Sequence, residues 1–364
     1  METDKKLAPL EKRRLKIFLL VAFGFTFLMG IPLGVAQRNG LAIDLFPNAQ
    51  MFYPAAGVML ASLICGRDAG SGDERQARIP RRFFLFFIVL TALMAACCIA
   101  SLFLPQLPWS LLIQFVIIGG SVLSWVFLLT EKKEKREAWG LRWAGHMPGR
   151  SILILLLFLF LYLLRTFASV GISGQLGEYL IYWRSYVPYI NMLVLLPNFF
   201  LVFTAFFGEE YGWRYYLQPL LQKRFGLIRG TLLLGVIWGL WHLPLDIFFY
   251  TTPAYALQSI VSHQITCITL GVFFAFAYMS TGNIWLPVLL HFFNNNMILV
   301  ISGTADISGQ VIGWADVLAA LIINGVVFLP FLAAKVFRRG GQPLPESGIA
   351  AQEPEETPDV AAPQ

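Results

Sequence analysis

Residues 187–217 read VPYINMLVLLPNFFLVFTAFFGEEYGWRYYL. The run is apolar enough to cross the hydrocarbon core of a bilayer, which takes about 20 residues of helix. It ends in groups that lipid does not solvate: Glu209, Glu210 and Arg214. Glu210 and Arg214 are four apart, so on a helix they share a face and can pair. Glu209 is turned about 100° from that face and is left without that partner. Charge inside a membrane helix costs roughly 2.5–3.5 kcal/mol to insert, so it marks a functional candidate, and a carboxylate in a partly dry site is a candidate general base. The bland alternative is an ordinary salt bridge snorkelling at the interface.

Outward from this segment the whole chain is apolar. Of 364 residues 57% are hydrophobic and 13% are charged, against about 25% charged in soluble domains. Lipid must cover that surface, so the expected class is all-α, a polytopic transmembrane helical bundle. Ten candidate spans follow: 15–36, 49–66, 82–104, 108–130, 151–172, 187–217, 229–250, 255–280, 283–302 and 311–336. The first is too long for the apolar core of a cleavable signal peptide and is expected to be retained. Basic residues cluster in 1–14, 67–82, 131–150, 214–229 and the flank after 334, whereas the alternate loops hold only Arg38 and Arg184. With ten spans every basic segment falls on the N-terminal side, and the positive-inside rule gives both termini to the cytoplasm. The organisation expected is a cytoplasmic N-terminus (1–14), N-terminal transmembrane helices (15–172), a core (173–302), a last helix (303–339) and a disordered tail rich in Pro, Glu and Ala (340–364).

The net charge of +6 comes with no basic run interleaved with aromatics. It reads as loop charge that sets orientation, and a nucleic-acid partner is not expected. Cys65, Cys97, Cys98 and Cys267 all fall in apolar stretches without a CxxC pair and read as inert thiols.

Two further polar clusters interrupt the spans. Trp238-Gly-Leu-Trp-His242-Leu-Pro244 places an imidazole one turn after Trp238, with Asp246 four residues further on, either orienting His242 or belonging to the far side of the span. His291-Phe-Phe-Asn-Asn295 places two hydrogen-bond donors on one helix face, the kind a developing oxyanion needs. Separately, each fits a packing role: a hydrogen-bonded core histidine, or interhelical amide glue. Their depths agree, however. At about 1.5 Å per residue from the N-terminal face, Glu209 and His291 lie on the order of 12 Å deep and His242 on the order of 17–20 Å. A base, a histidine and a donor pair at similar depth make a hydrolase site, expected in a cavity open to the cytoplasm.

Together these residues resemble the CAAX-protease and bacteriocin-processing family, the type II CAAX prenyl endopeptidases and their bacterial relatives. The family pattern is EExxxR, then FxxxH, then HxxxN or HxxxD on successive core helices. It is matched by Glu209-Glu210 with Arg214, by His242 with Trp238 where Phe is usual, and by His291 with Asn295. The resemblance covers about residues 190–300. It implies an intramembrane endopeptidase with motif helices 187–217, 229–250 and 283–302. Glu209 with His242 would activate the attacking water, His291 and Asn295 would hold the oxyanion, and Glu210 and Arg214 would support the site. Members of the family have often been labelled metalloproteases, but no HExxH stands in this chain and the metal-free reading is favoured. Should the enzyme use zinc, Glu209, His242 and His291 are the candidate ligands. The partners expected are membrane lipids and a protein or peptide substrate arriving from the cytoplasmic side, in a bacterial plasma membrane. A catalytically idle binding or immunity protein, and a proton-coupled transporter, are the competing readings.

Overall fold

A computed structural model describes residues 7–66, 78–142, 147–304 and 306–338. The tail expected at 340–364 lies outside them, as do Arg67 and Arg75 of the basic loop. The described residues are helical throughout, apart from connecting loops and an isolated bridge between Thr251 and Gln310.

Among the described residues, eight helices are long and apolar enough to cross a membrane. They are α1 (Pro9–Arg38), α4 (Arg81–Phe103), α5 (Trp109–Thr130), α7 (Pro148–Ile172), α9 (Val187–Phe225), α12 (Pro253–Thr281), α13 (Trp285–Ser302) and α14 (Trp314–Ala333). Short helices lie between them: α2 (Leu45–Gln50), α3 (Tyr53–Cys65), α6 (Lys133–Ala138), α8 (Leu176–Arg184), α10 (Leu227–Trp241) and α11 (Leu243–Phe248); α15 (Lys335–Arg338) follows α14. The polytopic all-α bundle is therefore as expected. The ten sequence-based spans resolve into these eight and two shorter pieces, α3 and α10–α11. Proline is the cause of both breaks. Pro54 opens α3 and Pro244 opens α11, each in the first turn, where its missing N–H costs no helical bond.

Burial separates core from periphery. The most apolar window of α13 is 56% buried, against 17% for α7 and α14. On α7 the outward residues Leu153 and Phe160 are more than half exposed, a surface fit for lipid. The centre is built by α9 against α13, α10 against α12, and α12 against α14.

The N-terminal helices, which match no motif, buttress that centre. Gly208 and Gly212 lie on one face of α9, and a Cβ on them would stand 2.3 Å from the Met51 carbonyl oxygen and 2.3 Å from Pro54 Cβ. Only glycine lets α9 approach the start of α3 so closely, the small-xxx-small contact by which membrane helices pack. With that face pressed on α3, Glu209 and Glu210 between the two glycines turn into the core. A π turn at Leu20–Phe25 in α1 contains Ala22, whose carbonyl accepts hydrogen bonds from Thr26 Oγ1 (2.7 Å) and Trp241 Nε1 (2.9 Å). The second bond ties α1 to the residue before His242.

Candidate active site

Glu209 and Glu210 end the regular part of α9, and Tyr211–Leu217 continues as a π turn. Such turns recur at functional sites, because they leave the i→i−4 ladder and re-aim side chains. Glu209 is 2% exposed and accepts a 2.8 Å hydrogen bond on Oε2 from Trp238 Nε1 of α10. The tryptophan that stands where the family pattern has phenylalanine is thus the group that fixes the candidate base. The sequence marked Trp238 only as a departure from the pattern, because a donor reaching across two helices cannot be read from spacing.

Glu210 is fully buried and does two things. Its Oε2 lies 3.2 Å from Arg214 Nε, the pairing expected from the i,i+4 spacing, and its Oε1 lies 2.8 Å from His291 Nδ1 of α13. The Arg214 guanidinium sits over the rings of Trp238 (4.7 Å) and Phe274 (5.3 Å). Cation–π attraction supplies part of what water would otherwise give a buried cation. With Nδ1 engaged by Glu210, His291 is left with Nε2 for any other partner. Phe206 and Phe274 wall its ring at 5.5 and 6.0 Å between centroids.

His242 stands at the break between α10 and α11. Its Nδ1 lies 2.9 Å from the Trp238 carbonyl oxygen. That bond makes Nδ1 the protonated nitrogen and leaves Nε2 with a lone pair, the form a proton acceptor needs. Asp246 does not orient His242. Its Oδ1 accepts from His263 Nδ1 (3.0 Å) and Ser259 Oγ (3.1 Å), both on α12, because the kink at Pro244 turns α11 toward α12. His263 in turn stacks on His242, with centroids 4.1 Å apart and planes at 29°. His263 and Cys267 are four apart on α12, a helix-face signal present in the sequence but obscured by the apolar surroundings of the cysteine.

Asn295 is exposed to the interior cavity rather than packed as glue. Its Oδ1 accepts from Asn294 Nδ2 at 3.0 Å, which leaves its own NH2 free to donate. Asn294 also accepts from Arg165 of α7 at 3.1 Å.

Glu209, His242, His291 and Asn295 all line one cavity of about 940 Å3, with Trp238, His263 and Cys267. Three sequence motifs on separate helices thus converge, as the agreement in depth required. The mouth is a different matter. At one end the cavity is lined by Leu41–Asp44 with Pro47 and Asn48 of α2, and by Asp306–Ser308, Gln310 and Ile312. These belong to the charge-poor connections after α1 and after α13, the face opposite the N-terminus. The expected opening toward the N-terminal face is not what this lining gives. Depth counted from one helix end could not show which end the cavity reaches. The mouth carries Asp44 and Asp306, and among the described residues no Lys or Arg lines the cavity. Hydrogen bonds from the Ser308 backbone and hydroxyl hold the Asp306 carboxyl below the usual carboxylate range.

The candidate zinc set Glu209, His242 and His291 is not the group of ligating side chains that comes together. Among the described residues, the three-residue group whose ligand atoms lie within 4.8 Å of one another is His242, His263 and Cys267.

Residues 191–297 match the model of the family described as type II CAAX prenyl endopeptidase Rce1-like, the stretch that carries all three motifs. A curated relative, CAAX prenyl protease 2 of Methanococcus maripaludis, is 27% identical over 154 residues. The aligned part is 39% of this chain and 53% of the relative, so the chain spans about half the length of the curated relative it matches. No solved structure matches.

Proposed function

From the match of residues 191–297 to that family model, we propose that the chain belongs to the CAAX protease family and is an intramembrane endopeptidase that uses Glu209 as its general base. The observation that carries the reading is the shared cavity. Groups from α9, α10 and α13 meet in one space large enough for an extended peptide segment. Glu209, oriented by the indole of Trp238, takes a proton from water. The free Nε2 of His242 accepts or relays a proton in the same space. With Nδ1–H given to Glu210, His291 acts as the imidazolium, so that its Nε2–H and the Asn295 amide donate to the oxyanion, and Glu210 with Arg214 sets the His291 ring. Donors fixed before the reaction stabilise developing charge without reorganisation, which is commonly the largest part of such catalysis. The buried aromatic walls raise the strength of each interaction by excluding water.

The substrate class proposed is a membrane-held polypeptide: a prenylated CAAX protein, a bacteriocin or pheromone precursor, or the tail of a membrane protein. It reaches the site through the mouth at Asp44 and Asp306. By the basic-residue asymmetry that mouth faces away from the cytoplasm, and both termini face into it. Bacterial plasma membrane remains the proposed location.

The test is a Glu209→Gln strain and a His242→Ala strain, each expressed at the wild-type level, with quantitative proteomics of the membrane fraction. Accumulation of the same uncleaved precursors in both, and cleavage of such a precursor by the purified wild-type protein, is the outcome expected. Unchanged profiles in both strains would remove the protease reading and leave an idle binding protein.

A further inference from the structure

Cys267 and His263 take no part in the reaction proposed above, yet both line its cavity beside His242. Cys267 is 1% exposed, and its Sγ lies 3.9 Å from His242 Nδ1. One ligand atom from each of His242, His263 and Cys267 falls within 4.8 Å of the other two. Two imidazoles and a thiol are the donors that thiophilic and borderline d10 cations select over hard ones.

The surroundings of the three residues supply the hydrogen-bond partners that metal ligands use. In metal centres each ligating histidine usually gives its second ring nitrogen to a carboxylate or a backbone carbonyl, which fixes the tautomer. Both arrangements are present. His263 Nδ1 is bound to Asp246 Oδ1 (3.0 Å), and His242 Nδ1 to the Trp238 carbonyl (2.9 Å), so each ring has Nε2 to offer. Asp246 is fully buried, and Ser259 holds the same oxygen at 3.1 Å. The cavity gives an ion a route in and leaves its fourth position to water.

We propose that His242, His263 and Cys267 form a binding site for a zinc-class cation, and that the bound ion withdraws His242 from the proteolytic site. Bonds of about 2.0–2.3 Å in tetrahedral arrangement need donor separations of about 3.3–3.6 Å. The group therefore closes by up to about 1 Å and the two stacked rings tilt apart at their far edges as it binds. Binding of M2+ displaces the Cys267 proton to solvent and leaves a thiolate–metal bond, with no redox change. His242 Nε2 then holds the ion and cannot take a proton from water, so the metal inhibits cleavage. This second consequence rests on the protease reading; the site itself does not.

Cd2+ titrated into the purified full-length protein in detergent reads the site directly through the ultraviolet thiolate-to-metal charge-transfer band. The expected result is one band-forming Cd2+ per chain, displaced by Zn2+. The band is lost in Cys267→Ser and Cys267→Ala and kept in Cys97→Ala. Affinity falls about 10- to 100-fold in Asp246→Asn, the usual cost of removing an outer-shell partner. Absence of a band in the folded wild-type protein, or its persistence in both Cys267 variants, overturns the site. In a cleavage assay Zn2+ should inhibit the wild-type protein and spare Cys267→Ala, and a chelator should not inhibit. Equal inhibition of both proteins overturns the inhibitory role. A wild-type protein that shows the band and cleaves nothing refutes the protease reading and leaves the site standing.

Discussion

A double-mutant cycle measures how strongly Glu210 and Arg214 stabilise each other. Both side chains are fully buried, 3.2 Å apart, and Glu210 also holds His291 at 2.8 Å. Removing one member of a buried pair leaves the other charge without its counter-ion, at a cost of about 3–5 kcal/mol. Glu210→Gln belongs at the upper end, because the guanidinium keeps only its contacts with Trp238 and Phe274. Arg214→Met belongs at the lower end, because Glu210 keeps His291 and methionine can pack between the two rings. The two single losses together amount to about 8 kcal/mol. The Glu210→Gln/Arg214→Met protein strands no charge and should lose only about 3 kcal/mol, so the coupling is about 4–5 kcal/mol. Reversible unfolding in mixed detergent micelles, followed by circular dichroism, measures all four proteins. The exposed Arg142–Glu137 pair at 3.1 Å is the control, with coupling under about 1 kcal/mol. A Glu210–Arg214 coupling below about 0.5 kcal/mol, the limit of simple additivity, would refute the claim that these residues stabilise each other as a desolvated pair. The double variant should still fail to cleave, since His291 loses the carboxylate that sets its ring.

Trp238→Phe restores the residue usual in the family pattern but removes the 2.8 Å hydrogen bond to Glu209. A hydrogen bond to a charged group is worth about 1.5–3 kcal/mol, so kcat should fall roughly 10- to 100-fold while the thermal midpoint changes little. Gly208→Ala and Gly212→Ala each place a Cβ 2.3 Å from Met51 or Pro54, and overpacking of this kind should cost about 1–3 kcal/mol or more in thermal unfolding. Gly171→Ala, with nothing within 4 Å of its Cβ, should be neutral or slightly stabilising. An impermeant thiol reagent applied to whole cells should label Asp306→Cys at the cavity mouth and not Lys133→Cys. The reverse pattern would put the mouth in the cytoplasm.

The membrane class, the helical periodicity and the pairing of Glu210 with Arg214 were all legible in the chain of residues. Each depends on a local rule: apolar length against bilayer thickness, or neighbours four apart on one helix face. The three motifs and their common depth were legible for the same reason. What packing decided is which side chain meets which across helices. Trp238 reaches Glu209, Glu210 reaches His291, and Asp246 reaches His263 rather than the nearer-in-sequence His242. Those contacts follow from the close approach of α9 to α3 at Gly208 and Gly212 and from the kink at Pro244, and neither the helix rotation nor the direction of a kink is encoded in spacing. The face on which the cavity opens was likewise a tertiary matter. Counting residues along one helix gives a depth, but only the loops gathered around the space show from which side it is reached.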